Sequence, residues 1–185
     1  MKIHKLIKGL ARHQLLAFLF FLISNLFIPV NVVGQGLSLS NNSKNTPIEI
    51  LADEGIEWQK EKELLVATGN AKASRDGVTV EAEIIRAFYR KKTKGGADLY
   101  RIDAAGGVKV YSSKESIVGQ TAILNLDKAI FLIKGTQVKY SSMNGRITAD
   151  RQMEYWERQN MAIARGNAVA TQRGKTIKAD VLKAR

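Results

Sequence analysis

The sequence has no cysteine among its 185 residues. A disulfide framework, a zinc–thiolate site and a thiol nucleophile are therefore excluded. Its two histidines, His4 and His13, both lie within the first 34 residues. The rest of the chain has no imidazole, and this removes Ser-His and Cys-His nucleophilic machinery and most zinc chemistry.

Acidic residues remain as candidates for catalysis, because a hydrolase can work with two carboxylates alone. Those that recur occupy equivalent positions in repeated units, whereas a catalytic pair is normally unique. A repeated carboxylate more often ends a strand or bonds nearby backbone in a turn. No phosphate-binding glycine loop and no cluster of metal ligands is apparent in the sequence. We therefore expect no enzymatic activity, no cofactor and no metal site. The recurring residues are Asp53, Glu83, Asp150 and Asp180.

Residues 1–34 have the composition of a signal peptide, with four basic residues ahead of the apolar run Leu15–Val30. Small residues before Gln35 place the predicted cleavage between Gly34 and Gln35. The apolar run is shorter than the roughly 20 residues that span a bilayer; a retained membrane anchor is the alternative. Residues 35–47 are rich in Ser and Asn and are expected to form a flexible leader, so that the folded domain occupies residues 48–185.

Basic residues are in excess even without the predicted signal peptide, which leaves 25 Lys and Arg against 17 Asp and Glu, a net charge of +8. This charge favours an anionic partner such as a phosphorylated lipid, an anionic membrane or nucleic acid. The alternative is a soluble basic surface, because the basic residues are scattered outside the run Arg90–Lys94. Since export removes the protein from nucleic acid, we expect no nucleic-acid partner.

A short motif recurs along the predicted domain and is clearest at Ile147–Asp150. A small residue is followed by a polar one, with a β-branched residue two positions earlier and a glycine 13 or 14 positions earlier. A degenerate first copy lies at Ala52-Asp53. The small residues are 30, 37, 30 and 30 positions apart, and a period near 30 indicates a copied supersecondary unit. They are Ala52, Ala82, Gly119, Ala149 and Ala179.

The copies have the periodicity of strands. Val78–Ile84 is apolar at even positions and polar at odd positions. Asp76-Gly77 and Asn144-Gly145 are strong hairpin dipeptides, and Gly95-Gly96 and Arg173-Gly174 are weaker ones. These patterns predict an all-β chain.

An ordered set of segments, covering about residues 47–183, resembles the OstA-like family. The segments that carry the resemblance are Pro47–Asp53, Ala67–Ala71, Val78–Glu83, Ala105–Val110 and Ala164–Val169. The chain departs from the family pattern at Gly119-Gln120, where Ala-Asp is expected. The resemblance implies an open antiparallel β-jellyroll, a V-shaped pair of sheets with about 15 strands and an apolar interior.

The resemblance also implies a function without enzymatic activity. It implies a periplasmic protein that binds lipopolysaccharide and carries it from an inner-membrane export complex to an outer-membrane translocon. The acyl chains would lie between the sheets. Two alternatives stay open: an inner-membrane-anchored relative in the same pathway, and a structural or adhesive secreted β-repeat protein.

The repeated apolar residues are predicted to line the lipid-binding inner face. On the alternative interpretation, their side chains contact one another and form a dry core. The predicted inner-face residues are Val80, Ala82, Ile84, Val108, Val110, Ile117, Val138, Tyr140, Ile147, Ala149, Ile177 and Val181.

The first and last strands are predicted to join other copies of the chain head to tail. Neither strand has a Pro or a compact charged cluster that would block pairing, and such contacts can propagate. The predicted first edge is Ile48, Glu49, Ile50 and Leu51. The predicted second edge is Thr176, Ile177, Lys178, Ala179, Asp180, Val181 and Leu182.

Overall fold

Antiparallel strands account for most of the described chain. The structure is a computed structural model that describes residues 48–93 and 96–185. The predicted signal peptide, its cleavage point at Gly34 and Gln35, and the leader lie outside these residues. The strands are β1 Glu49–Leu51, β2 Gly55–Gln59, β3 Leu64–Arg75, β4 Val78–Lys91, β5 Ala97–Tyr111, β6 Glu115–Asn125, β7 Ile130–Lys134, β8 Val138–Ser142, β9 Gly145–Ala149, β10 Gln152–Trp156, β11 Met161–Gln172 and β12 Lys175–Ala184.

Short helical segments are rare in this part of the chain. Two single turns of 3-10 helix, Lys60–Lys62 and Glu157–Gln159, connect β2 to β3 and β10 to β11. Within the described residues, no helix has the length and apolar character needed to cross a bilayer.

Tight turns join the long strands into hairpins. Asp76-Gly77 and Arg173-Gly174 adopt positive φ at both residues, as the predicted hairpin dipeptides require. The predicted turn at Asn144-Gly145 is displaced by one residue, because Ser142 pairs directly with Gly145 and Met143-Asn144 occupies the turn. The Ser142 hydroxyl supports this arrangement by accepting a hydrogen bond from the backbone N of Asn144 at 3.3 Å.

Three long strands contain a pair of positive-φ residues near their middle. These pairs are Gly69-Asn70 in β3, Gly106-Gly107 in β5 and Gly166-Asn167 in β11. The strand register shifts at each pair, so two residues oppose one residue of the following strand, which is the pattern of a β-bulge. The opposing residues are the polar members of the sequence motif: Glu83, Gln120 and Asp180. The repeat therefore marks the positions where the sheet bends.

Along the line of these bulges, the long strands bend into two arms that belong to two layers. β3 pairs with β2 along one arm and with β1 along the other. β6 pairs in the same way with β7 and β8, and β11 with β10 and β9. The short strands β2, β7 and β10 thus lie in one layer, and β1, β8 and β9 lie in the other.

Six strands close into a ring of hydrogen-bonded neighbours. The order is β6–β7–β10–β11–β9–β8, and β8 returns to β6. The prediction of an all-β fold is confirmed. The described residues contain twelve strands and not about 15, and the ring differs from a fully open pair of sheets.

Side chains from both layers meet in one apolar core. Ile85, Ile133, Val108, Val110 and Val138 are buried almost completely. β3 contributes the small residues Ala67, Ala71 and Ala73, which pair with Ile85, Ala82 and Val80 of β4. Burial of this apolar surface is the main favourable contribution to folding.

The beginning and the end of the described chain repeat the same arrangement 97 residues apart. Asp53 accepts a hydrogen bond from the Asn70 side chain at 2.9 Å, and Asp150 accepts one from Asn167 at 2.8 Å. The backbone N of Asp53 bonds to the Gly69 carbonyl at 2.8 Å, and that of Asp150 bonds to Gly166 at 2.7 Å. Strands β1–β4 therefore correspond to β9–β12.

The bulge at Gly106 provides a test of this fold. A Cβ at Gly106 would lie 2.4 Å from the Cβ of Glu83, while a Cβ at the adjacent Gly107 meets nothing within 4 Å. Both residues have positive φ, so Gly107→Ala isolates the conformational cost. We expect Gly106→Ala to lower the free energy of unfolding by about 2–4 kcal/mol and Gly107→Ala by about 1–2 kcal/mol in urea denaturation. Equal losses would contradict the close approach.

Candidate functional site

Most of the predicted inner-face residues do point into the space between the layers. Seven are buried within the core and contact other core residues, whereas Tyr140 and Ile147 are partly buried against its margin. The dry-core arrangement therefore holds for these side chains in this structure, and a ligand between the layers would have to separate them. The seven residues are Val80, Ala82, Val108, Val110, Ile117, Val138 and Ala149.

Tyr140 places a hydroxyl at the margin of this interior. Its Oη donates a hydrogen bond to the Glu115 carboxylate at 2.5 Å. Tyr140 pairs with Ile147 across the β8–β9 hairpin. Burial, together with the bond to Glu115, raises the pKa of Tyr140 to about 12. The phenol thus stays protonated at neutral pH and fixes the ring against the core.

Ile84 and Val181 were wrongly assigned to the inner face. Ile84 pairs with Thr68 and Ala105, outside the core cluster, while the next residue, Ile85, is fully buried. Val181 likewise pairs with Arg165, and Leu182 packs against the core in its place. The cause is the bulge that faces Glu83 and Asp180 from the neighbouring strand, at which the two-residue alternation of β4 and β12 reverses.

Ile177 keeps the predicted phase but is not buried. It pairs with Ala170 of β11, two residues from the inward pair Ala168 and Ala179. Its side chain is 51% exposed, because β12 pairs with β11 alone among the described strands. The inner face therefore continues to this edge of the sheet and is left uncovered there.

A small apolar cleft opens between the tips of the two layers. Val80 and Ala73 line it from one layer, and Ile102 and Leu124 line it from the other. The remaining lining residues are Ile48, Ser74, Arg75 and Leu126. Ile102 and Leu124 are not among the predicted site residues, although the alternation in Ile102–Ala104 and Ala122–Leu124 is the signal that could have found them.

The outer face is polar and the interior is not. Glu154 accepts hydrogen bonds from Arg165 at 2.9 Å, Trp156 at 2.9 Å and Gln152 at 2.8 Å. Burial raises the pKa of Glu154, but these three bonds outweigh it and hold the pKa below its usual value. No polar or charged residue is buried within residues 48–93 and 96–185. The interior is therefore suited to an apolar ligand.

The predicted first edge is present and is longer than expected. β1 contains Glu49, Ile50 and Leu51, follows directly on Ile48 and pairs with β3. β2 continues the same edge beyond the bend, with Ile56 at 48% and Trp58 at 60% exposed. β2 is not part of the predicted edge, although the alternation of Ile56 and Trp58 with Glu57 is the signal that could have found it.

The predicted second edge is formed by β12. Thr176, Lys178 and Val181 lie on the outer face, whereas Ile177, Ala179 and Leu182 lie on the inner face. Asp180 stands at the bend and accepts an ion pair from Arg151 at 2.9 Å. Both edges thus present backbone and apolar side chains that no described strand covers.

The fold is therefore an all-β, bulge-bent sheet with an apolar interior and two uncovered edges. Among solved structures, it is similar to LptH from Pseudomonas aeruginosa, the LptA homologous periplasmic component of the conserved lipopolysaccharide transport device. The TM-score is 0.54 at 11% sequence identity, over 72% of this chain and 94% of that one. This likeness supports the OstA-like resemblance at the level of the fold.

Sequence comparisons add one relative. An uncharacterized protein of Rhizobium meliloti (strain 1021) is 32% identical over 111 residues. The match covers 58% of this chain and 58% of that relative's length. No family model matches the sequence.

The reversal of phase at the bulge can be tested with two adjacent residues. Ile85→Ala removes a fully buried side chain and should lower the free energy of unfolding by about 2–5 kcal/mol. Ile84→Ala, one position away on the outer face, should cost no more than about 1 kcal/mol. Chemical denaturation of both variants measures the difference. A larger loss for Ile84→Ala would mean that the alternation continues unbroken through the bend.

Proposed function

We propose that the protein is an LptA-like periplasmic carrier that binds the acyl chains of lipopolysaccharide between its two layers. The observation that carries this proposal is the continuous apolar inner face, which crosses every long strand and opens at the cleft beside Val80 and Ile102. The similarity of the fold to LptH supports it. The residues proposed to contact lipid are the inner-face residues, with Ile85 and Leu182 in place of Ile84 and Val181.

An apolar interior is what such a cargo requires. Each CH₂ group transferred from water to an apolar environment contributes about 0.8 kcal/mol, so a chain of fourteen carbons contributes on the order of 10 kcal/mol. Several such chains cannot cross an aqueous space unprotected, and binding between the layers removes the penalty without covalent chemistry. We propose that the layers separate from their tips when lipid enters, which gives the open, V-shaped form of the jellyroll.

The proposal includes the position of the protein in a pathway. It would receive lipopolysaccharide from an inner-membrane export component and deliver it to an outer-membrane translocon, acting without enzymatic activity. The two uncovered edges support a bridge in which copies join head to tail, with β1–β2 of one molecule beside β12 of the next. Each edge would also serve for one of the two membrane-bound partners.

A second candidate is an inner-membrane-anchored component of the same pathway. The apolar run Leu15–Val30 favours it, since this segment, if it is not cleaved, would keep the domain at the inner membrane. The two candidates share the lipid-binding interior and differ in whether the N-terminal segment is removed.

Lipid binding is tested by a photoreactive amino acid at Ile147, with the adjacent Thr148 as the matched control. Ile147 packs against the core, whereas Thr148 pairs with Val169 and Lys139 on the outer face. After irradiation in cells, we expect crosslinks to lipid A from position 147 and none from position 148. If position 147 gives no lipid A crosslink, the carrier proposal fails, and a structural β-repeat protein becomes the better account.

N-terminal sequencing of the exported protein distinguishes the carrier from the anchored component. For the carrier, we expect a new terminus near Gln35, since cleavage follows the small residues that precede it. An intact segment 1–34 in the membrane fraction would identify the anchored form.

A further inference from the structure

The first edge of the sheet is an uncovered copy of strands that the same molecule covers elsewhere. β1–β2 corresponds to β9–β10, which β8 and β7 cover on the side away from β11. At the position of Ile56, β10 has Met153, which pairs with Ile133 of β7 and is only 6% exposed. Ile56 itself is 48% exposed. β10 beside β7 is therefore an internal example of how β2 would pack if another strand lay beside it.

The second edge is also an uncovered copy. β12 corresponds to β4, which β5 covers. Val80 of β4 pairs with Val110 of β5 and is 4% exposed, whereas its equivalent in β12, Ile177, is 51% exposed. Both edges therefore retain the side chains of a strand that has neighbours on both sides.

The two edges carry opposite charge. Residues 48–59 contain four acidic residues and no basic one, and all four are exposed. Residues 173–185 contain five basic residues and one acidic residue, Asp180, which is paired with Arg151. The acidic set is Glu49, Asp53, Glu54 and Glu57, and the basic set is Arg173, Lys175, Lys178, Lys183 and Arg185.

The position of Lys178 indicates which charge its neighbour should have. Its equivalent in β4 is Glu81, which pairs with Lys109 on the covering strand β5 and forms an ion pair with Lys72 at 3.1 Å. The charge at this position is reversed in β12. A strand that covers β12 is therefore complementary when it presents a carboxylate, and the first edge of another copy presents Glu49 and Glu57.

We propose that charge selects the direction of assembly: the basic β12 edge of one molecule accepts only the acidic β1–β2 edge of a second copy. This inference rests on the head-to-tail assembly proposed above and specifies what determines the orientation of its subunits. Pairing of like edges would set four acidic residues against four, or five basic residues against five, and such like-charge contacts oppose association. The result is a one-way chain whose association weakens as salt screens the edges.

The first experiment measures self-association of the purified protein, as processed by the producing cell, by sedimentation velocity at several salt concentrations. We expect association to weaken at least about tenfold between 0.05 and 0.5 M NaCl, where the Debye length falls well below 10 Å. A protein that stays monomeric at low salt and high concentration overturns the inference. Association independent of salt overturns it as well.

The second experiment exchanges the charges. Glu49→Lys, Glu54→Lys and Glu57→Lys together leave one acidic against three basic residues on the first edge, so that both edges are basic. Lys175→Glu, Lys178→Glu and Lys183→Glu together leave two basic against four acidic residues on the second edge, so that both edges are acidic. We expect each triple variant alone to associate about 100-fold more weakly, because only like edges are available. Mixing the two variants should restore association, because an unchanged basic edge then meets an unchanged acidic edge, and combining all six substitutions in one chain should restore it with the charges exchanged. The control, Lys114→Glu with Lys128→Glu and Lys139→Glu, changes the same amount of charge away from both edges and should have no such effect.

The outcomes separate this inference from the carrier proposal. Circular dichroism establishes that each variant is folded, and crosslinking of lipid A from position 147 is measured in the same variants. If position 147 crosslinks to lipid A but charge reversal leaves association unchanged, only the inference is contradicted. If association depends on salt and is restored by mixing the variants, but position 147 gives no lipid A crosslink, only the carrier proposal is contradicted.

Discussion

The structure depends on a local constraint, a pair of backbone residues held at positive φ in the middle of a long strand. Gly69-Asn70, Gly106-Gly107 and Gly166-Asn167 each introduce an extra residue opposite a polar residue of the next strand. Only glycine and a few short polar residues adopt this conformation at low cost. Because the bulges lie at matching positions, the whole sheet bends along one line, and its two arms face each other across an apolar interior.

The bend connects the fold to its proposed use. Both faces of a flat sheet would meet water, whereas a bent sheet buries one face against itself and keeps charged residues such as Glu154 and Arg165 outside. Within residues 48–93 and 96–185, no polar or charged residue is buried, so the interior is lined by apolar residues. The same bend leaves β1–β2 and β12 as edges with uncovered apolar residues. An interior for acyl chains and edges for neighbouring strands therefore arise from the same feature.

The fold class could be predicted from sequence, but the details around the bulges could not. The alternation in Val78–Ile84 and the dipeptides Asp76-Gly77 and Arg173-Gly174 carried the strand and hairpin assignments. The alternation fails after Ala82, because Glu83 faces the two bulge residues Gly69-Asn70 and the faces of Ile84 and Ile85 are exchanged there. No hydropathy pattern marks such a bulge. The ring closed by β6 and β8 depends on a pairing between strands that are not neighbours in the sequence.

The central claim is that lipid occupies the space between the layers and separates them. Since the chain has no cysteine, Ser113→Cys and Lys128→Cys introduce only two sites for spin labels. Ser113 lies in the turn that precedes β6, and Lys128 lies in the turn that follows it. Pulsed electron–electron double resonance then measures the distance between the tips of the two layers. We predict a longer distance when lipopolysaccharide is added to the labelled protein. An unchanged distance in the presence of bound lipopolysaccharide would contradict the account.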